Sequence, residues 1–413
     1  MDFADEGIIP MALMPVDEAL ARILEDAAPA DEPEMLPLAE ASGRVLARDL
    51  KALRTHPPFA ASAMDGYAVR ASEASAGAVL TLQGESAAGH GFDGALAPGS
   101  VIRIFTGAPV LEGADAIVIQ ENADGLEDGS VRINEAPVAG RYIRDAGIDF
   151  ETGKVGLEAG RLLDAGAITF AAAMNHAELP VLRRPRVAIL ATGDELRLPG
   201  VALGPDQIVA SNTFGVAALA REAGADIIDL GIAADRMEAL DSAIDSALAQ
   251  GADVLVTIGG ASVGDHDLVQ KALTGRGMAL DFWRIAMRPG KPLMSGRLGQ
   301  MRVLGLPGNP ASSLVCAHLF LEPLVARLGG RPAPDRMKKA ILTKDMPEND
   351  QRQDYIRGDL ATNPDGQLAA TPLALQDSSL MKVFADARCL IIRPPFAPPA
   401  IVGSTCDVLV LRP

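Results

Sequence analysis

Two strand-to-loop exits bring glycine and carboxylate together. Val187-Ala-Ile-Leu-Ala-Thr-Gly-Asp-Glu-Leu196 ends in Asp194 and Glu195. Asp253-Val-Leu-Val-Thr-Ile-Gly-Gly-Ala-Ser-Val-Gly-Asp-His-Asp267 supplies Gly259, Gly260, Ser262, Gly264, Asp265 and Asp267. Glycine lets the backbone approach a ligand closely, and exposed N–H groups in such a loop favour an anion. Carboxylates on the same rim repel a bare anion. The combination predicts a phosphate-bearing substrate held together with a divalent cation.

Cations and hydroxyls stand on other turns. Met287-Arg-Pro-Gly-Lys-Pro292 sets Arg288 and Lys291 around a Pro-Gly turn, which fits an oxyanion clamp or an ordinary surface turn. Gly305-Leu-Pro-Gly-Asn-Pro-Ala-Ser-Ser313 leaves a strand and opens a helix. That arrangement presents free N–H groups and Ser312 to an anion. Pro310 also suits a helix start for purely structural reasons. Asp65 before Gly66, and Thr106 in Phe105-Thr-Gly-Ala-Pro109, fit turn chemistry as well as a ligand role. Asp194 and Glu195 could equally sit in the first turn of a helix. The Gly259–Asp267 loop lacks the GxxxxGK[ST] pattern and is not a clean GxGxxG. No zinc-ligand spacing accompanies His266.

These residues need positioning elements. Residues 15–27 read as an amphipathic helix, with Val16, Leu20, Ile23, Leu24 and Ala27 on one stripe. Residues 50–135 alternate short apolar runs with Gly, Pro and Asp, a β-rich inserted module. After Arg183-Arg-Pro-Arg186, apolar strands alternate with helical segments as far as Gly329-Gly330. The expected fold class is therefore multidomain α/β plus β. A mostly parallel sheet covered on both faces forms the centre. A small β barrel or sandwich closes the chain. The expected boundaries are 1–49, a helical segment packing with 136–182; 50–135; 136–182, a linker and helical region; 183–331, the α/β domain; and 332–413.

At 413 residues the chain exceeds one core. It is 48% apolar and only 4% aromatic, so Ala, Val, Leu and Ile must build the cores. A formal charge of −17 argues against a general nucleic-acid or anionic-membrane surface. Three scattered cysteines and an acidic start without a basic region lead us to expect a cytoplasmic protein.

Taken in order, Ser62–Val69, Arg103–Glu121, Thr192–Leu196, Gly259–Asp267, Arg288–Leu293 and Gly305–Ser312 resemble the molybdopterin molybdotransferases, the MoeA proteins and gephyrin E domain. The resemblance spans nearly the whole chain. It implies a transferase of molybdenum cofactor biosynthesis, converting adenylylated molybdopterin and molybdate to molybdenum cofactor and AMP with Mg²⁺. It implies that Asp65, Thr106, Asp149 and Glu195 are catalytic, and that Glu195, Asp235 and Asp267 hold the metal. Gly259, Gly260, Ser262, Gly264, Pro307 and Pro310 would form the pterin and AMP phosphate loops. Arg288, Lys291, Ser312, Arg357 and Ser378 (or Ser379 in its place) would bind molybdate. A homodimer is implied, with a molybdopterin adenylyltransferase or molybdoenzymes as further partners. Two departures stand out: Arg288 where the family often has Lys, and Gly147-Ile-Asp149 where it often has Gly-Glu-Asp. An adenylyltransferase sharing the α/β domain and a gephyrin-like scaffold are the alternative readings.

Overall fold

A computed structural model describes residues 13–260 and 268–412. The chain divides into two compact units, one of residues 1–33 and 182–413, the other of residues 34–181.

The larger unit is organised around a six-stranded sheet. Its strands are β1 (Arg186–Thr192), β2 (Asp226–Ala233), β3 (Val254–Ile258), β4 (Ala279–Arg284), β5 (Pro292–Leu298) and β6 (Met301–Leu306). The order is β2-β1-β3-β6-β5-β4. Its first four strands are parallel, whereas β5 and β4 add antiparallel. The continuous apolar runs have a direct cause: alternate residues feed two cores. Val187, Ile189, Val254, Val256, Leu304 and Leu306 enter one, while Ala188, Leu190, Leu255 and Val303 enter the other. A strand covered on both faces has no polar side to display.

The chain leaves β1 toward β2 on one side and reaches β3 on the other. Their carboxyl ends therefore flank a reversal of strand order, where open α/β sheets place ligands. Helix α1 (Val16–Leu24) buries Val16, Ala19 and Ile23 in the first of these cores. Here the structure departs from the expected packing of 1–49 on 136–182. The apolar stripe of α1 finds the α/β sheet, and only the following stretch, with Ala41, Leu46 and Leu50, joins Leu163, Ala167 and Val181.

The helical run Pro310–Leu328 is the one described segment long and apolar enough to cross a bilayer. Its side chains are mostly packed inside the protein, as befits a core helix. It contains a π-helical stretch, Ala317–Leu321, just before Pro323.

Beyond it, β7 (Met337–Leu342), β8 (Gln353–Thr362), β9 (Leu368–Pro372), β10 (Cys389–Arg393) and β11 (Thr405–Val410) form a sheet in the order β8-β9-β7-β11-β10. A further β8–β10 pairing closes it into a five-stranded barrel. Ala340, Leu342, Ala370, Ile391 and Val408 fill the interior. Closure removes the exposed edges that a small open sheet would leave.

The second unit holds a six-stranded sheet over Gly66–Val69, Val79–Ser86, Ser100–Ile104, Ala116–Ile119, Ala123–Gly125 and Ser130–Ile133. Gly66 is required where it stands: a Cβ there would lie 2.0 Å from the Val118 carbonyl oxygen. Helix Ala165–Ala173 covers a separate core and is capped by Asp164, which accepts from the Ala167 N–H at 2.8 Å.

Candidate functional site

At the carboxyl rim of the parallel sheet, the loops after β1, β3 and β6 come into contact. The Gly259 N–H donates to the Leu306 carbonyl at 3.2 Å, and Asn212 Nδ2 donates to the Gly308 carbonyl at 2.7 Å. Gly259 and Gly260 have positive φ, +92° and +65°. A Cβ at Gly259 would sit 2.7 Å from the Thr192 carbonyl oxygen, and one at Gly260 2.5 Å from Val269 Cγ2. Backbone conformation and space thus both demand glycine. Beneath these loops, the hydroxyls of Thr192 and Thr257 are buried without a partner among the described residues. Pro307 is buried and Pro310 opens the following helix. Ser262, Gly264 and Asp267 lie outside the described residues.

Three acids gather on the same rim. Asp194 Oδ1 accepts from the Asp235 N–H at 3.1 Å. Partial burial, then the charges of Asp194 and Glu195, raise the Asp235 carboxyl above the usual aspartate value. Like charges crowded in this way favour a bound cation, and carboxylate oxygens are the donors that Mg²⁺ prefers. The donor set therefore fits the expected metal in kind. Among the described residues, no three such side chains already stand in ligating proximity.

The expected oxyanion ligands divide into two groups. The loop 376–379 joins the start of the 310–328 helix to barrel strand β8. The Ala311 N–H donates to the Ser378 carbonyl at 3.0 Å, and Asn309 Nδ2 donates to Ser378 Oγ at 2.9 Å. The Arg357 N–H donates to Gln376 Oε1 at 3.0 Å, and its Nη2 reaches the Asp377 carbonyl at 3.4 Å. Arg357 is 2% exposed, and its Nε has no partner among the described residues. Burial holds its guanidinium below the usual arginine range, opposed by Asp377. Ser312 is buried in the first turn of the helix. Ser379 turns elsewhere, its hydroxyl donating to Asp377 at 2.7 Å.

Arg288 and Lys291, read as a pair on one turn, differ in their surroundings. Arg288 donates from Nε to Asp354 at 2.8 Å, again to Asp354 from Nη2, and to Asp350 and Asn349 at 3.3 Å. Its guanidinium is thus committed to barrel acceptors, because Met287–Arg288 pairs in parallel with Gln353–Asp354. Lys291 is exposed and carries no ion pair among the described residues.

In the other unit, Asp65 and Thr106 meet directly. Asp65 Oδ1 accepts from both the Thr106 N–H and hydroxyl at 2.8 Å. These two bonds, then the Arg103 charge, hold its carboxyl below the usual aspartate value. Arg103 lies 5.0 Å from the ring centres of both Tyr67 and Phe105 and donates to Gln120 Oε1 at 2.9 Å. Asp149 is exposed on another loop, its N–H donating to the His56 carbonyl at 3.2 Å.

A depressed folded-state pKa stabilises the fold above the unfolded aspartate value, and that stability fades as pH falls through the depressed value. Thr106→Ala removes the hydroxyl but keeps the backbone donor. We expect the Asp65 pKa to rise part of the way toward the ordinary value, read by carboxyl NMR titration. An unchanged value would show that the hydroxyl contributes nothing.

Sequence reasoning passed over Asn212, Thr257 and Asp354. Asp194 was visible beside Glu195, but its place next to Asp235 depends on β1 and β2 being neighbours.

Known proteins resemble this chain over nearly its whole length. Residues 14–175 match the MoeA N-terminal region (domain I and II), and residues 188–327 match a family described as "Probable molybdopterin binding domain". Residues 339–411 match the MoeA C-terminal region (domain IV). A Haemophilus influenzae protein named molybdopterin molybdenumtransferase is 36% identical over 385 residues, 92% of this chain and 94% of its own. A Bacillus subtilis protein of the same name is 34% identical over 408 residues, 97% of this chain and 94% of its own. The crystal structure of a molybdopterin biosynthesis MoeA protein from a Pyrococcus superposes with a TM-score of 0.85 at 28% identity, covering 97% of this chain and all of its own. With the glycine-lined rim, the barrel and the inserted β module all accounted for in order, the chain belongs to the MoeA family of molybdopterin molybdenumtransferases.

Proposed function

We propose that this transferase inserts molybdate into adenylylated molybdopterin, giving molybdenum cofactor and AMP. The supporting observation is Arg357. It is a fully buried cation with an unpartnered Nε, beside a serine-bearing loop and a helix start. Leaving a buried donor unmade costs about 1–3 kcal/mol. A bound oxyanion satisfies both the donor and the charge. In this reading Arg357, Ser378, Ser312 and Lys291 hold molybdate. Arg288 supports the turn while Asp354 engages it, and reaches the anion only if that pair opens.

Gly259, Gly260, Pro307 and Pro310 shape the loops that receive the pterin and nucleotide phosphates. Asp194, Glu195 and Asp235, with Asp267, hold a divalent cation. Such an ion supplies positive charge to a phosphoanhydride and to the departing AMP. Asp65, oriented by Thr106 and ionised at neutral pH, positions a water or substrate hydrogen; Asp149 assists from its own loop. The protein works in the cytoplasm as a homodimer, taking substrate from a molybdopterin adenylyltransferase and passing product to molybdoenzymes. The flanking modules favour this reading over a stand-alone adenylyltransferase. Release of AMP from adenylylated molybdopterin, dependent on molybdate and Mg²⁺, tests it. No release under those conditions would refute it.

A further inference from the structure

The α/β sheet has a second end. A cavity of about 260 Å³ opens where β1, β3 and β6 begin, a strand's length from the glycine loops. Arg183, Arg297 and Arg302 line it, together with Asp26 and Asp253. Arg297 and Arg302 are direct partners across the β5–β6 hairpin. Like charges placed opposite one another on an antiparallel pair destabilise it. Such a pairing is conspicuous in a chain whose net charge is −17.

The protein's own acceptors balance only part of this charge. Arg183 makes a two-pronged pair with Asp253 at 2.8 and 2.9 Å, and the Arg186 N–H donates to the same carboxylate at 2.7 Å. Asp253 is therefore occupied. Arg302 is 9% exposed and donates to the carbonyls of Ile23 at 2.8 Å and Glu25 at 2.7 Å, at the end of α1. Helix-end carbonyls attract a cation but carry only partial charge. Arg297 donates one bond, to the same Glu25 carbonyl at 2.8 Å. Its other nitrogens have no hydrogen-bond acceptor among the described residues. Asp26 stands 3.8 Å away, with its side chain 80% exposed. Burial, then Arg297, holds the Arg302 guanidinium below its usual range, opposed by the charges of Asp26 and Asp281. Three guanidiniums thus line a pocket whose two lining carboxylates are Asp253, already paired with Arg183, and the exposed Asp26.

We propose that this cavity binds a phosphate-type dianion between Arg297 and Arg302, a second anion site independent of the molybdate reading. Inorganic phosphate and the phosphate of a monoester share the recognised chemistry. A dianion offers several acceptor oxygens to the open Arg297 nitrogens and offsets the repulsion between the two guanidiniums. A volume of about 260 Å³ admits either source.

Calorimetric titration of the full chain with inorganic phosphate, and separately with AMP, tests the site. Wild type is compared with Arg297→Gln, Lys291→Ala and Ala28→Glu, the last placing a carboxylate at an exposed lining position. Phosphate is expected to bind wild type and Lys291→Ala alike. It should bind Arg297→Gln and Ala28→Glu about tenfold or more weakly, as the loss of a charge-assisted bond implies. Should Arg297→Gln fail to fold, Ala28→Glu decides alone. AMP weakened in parallel identifies a monoester ligand; AMP indifferent to both changes assigns the site to free phosphate. If neither ligand's binding depends on Arg297 or on Ala28, or if Lys291→Ala alone abolishes phosphate binding, the inference is overturned.

Discussion

Asp65→Ala and Glu195→Ala should fold like wild type and release AMP at least about a hundredfold more slowly, the usual effect of removing one acid–base or electrostatic group. Neither truncation opens a core cavity. Asp65 is half-buried on a turn, and Glu195 is exposed after β1. Asp65 nevertheless holds two donors of Thr106 on one oxygen, leaving its second oxygen for a ligand. Glu195 stands next to Asp194, whose charge together with its own raises Asp235. Removing Glu195 should therefore lower the Asp235 pKa as well as weaken the proposed cation site. Melting temperature and turnover, measured on the same preparations, separate folding from function. Wild-type turnover in both variants would remove these residues from the reaction.

The second large effect concerns the oxyanion. Lys291→Ala should raise the molybdate concentration for half-maximal turnover about ten- to a hundredfold, the equivalent of about 1.5–3 kcal/mol for a charge-assisted bond. Lys291 is exposed and unpaired among the described residues, so the change leaves the packing intact. Arg357→Ala should have an effect at least as large, with some loss of stability because that side chain is buried. Arg288→Ala should act differently. It frees the 6%-exposed Asp354 from its partner, so the fold suffers before molybdate affinity does. Unchanged half-saturation in both Lys291→Ala and Arg357→Ala would place the molybdate pocket elsewhere.

Local patterns carried much of this architecture. The β1 and β3 runs are legible because strands buried on both faces show unbroken apolar sequence. Gly259 and Gly260 are legible because the chain has no other way to turn so close to Thr192. The β4–β5 hairpin was not, since Met287-Arg-Pro-Gly-Lys looks like an isolated surface turn. The partner of Arg288 was equally hidden: Asp354 lies 66 residues away, and the pair exists only because the barrel strand adds beside Met287–Arg288. Helix α1 was readable as amphipathic, but its stripe names no partner. The packing that claims it is a property of the folded sheet.

The proposed reaction couples AMP release to molybdenum insertion. Adenylylated molybdopterin, molybdate and Mg²⁺ should be incubated with the full chain, and AMP and pterin-bound molybdenum quantified in the same sample. Equal amounts of both are expected, and none of either without molybdate. AMP released without molybdenum gain, or molybdenum bound while the adenylyl group stays in place, would contradict it.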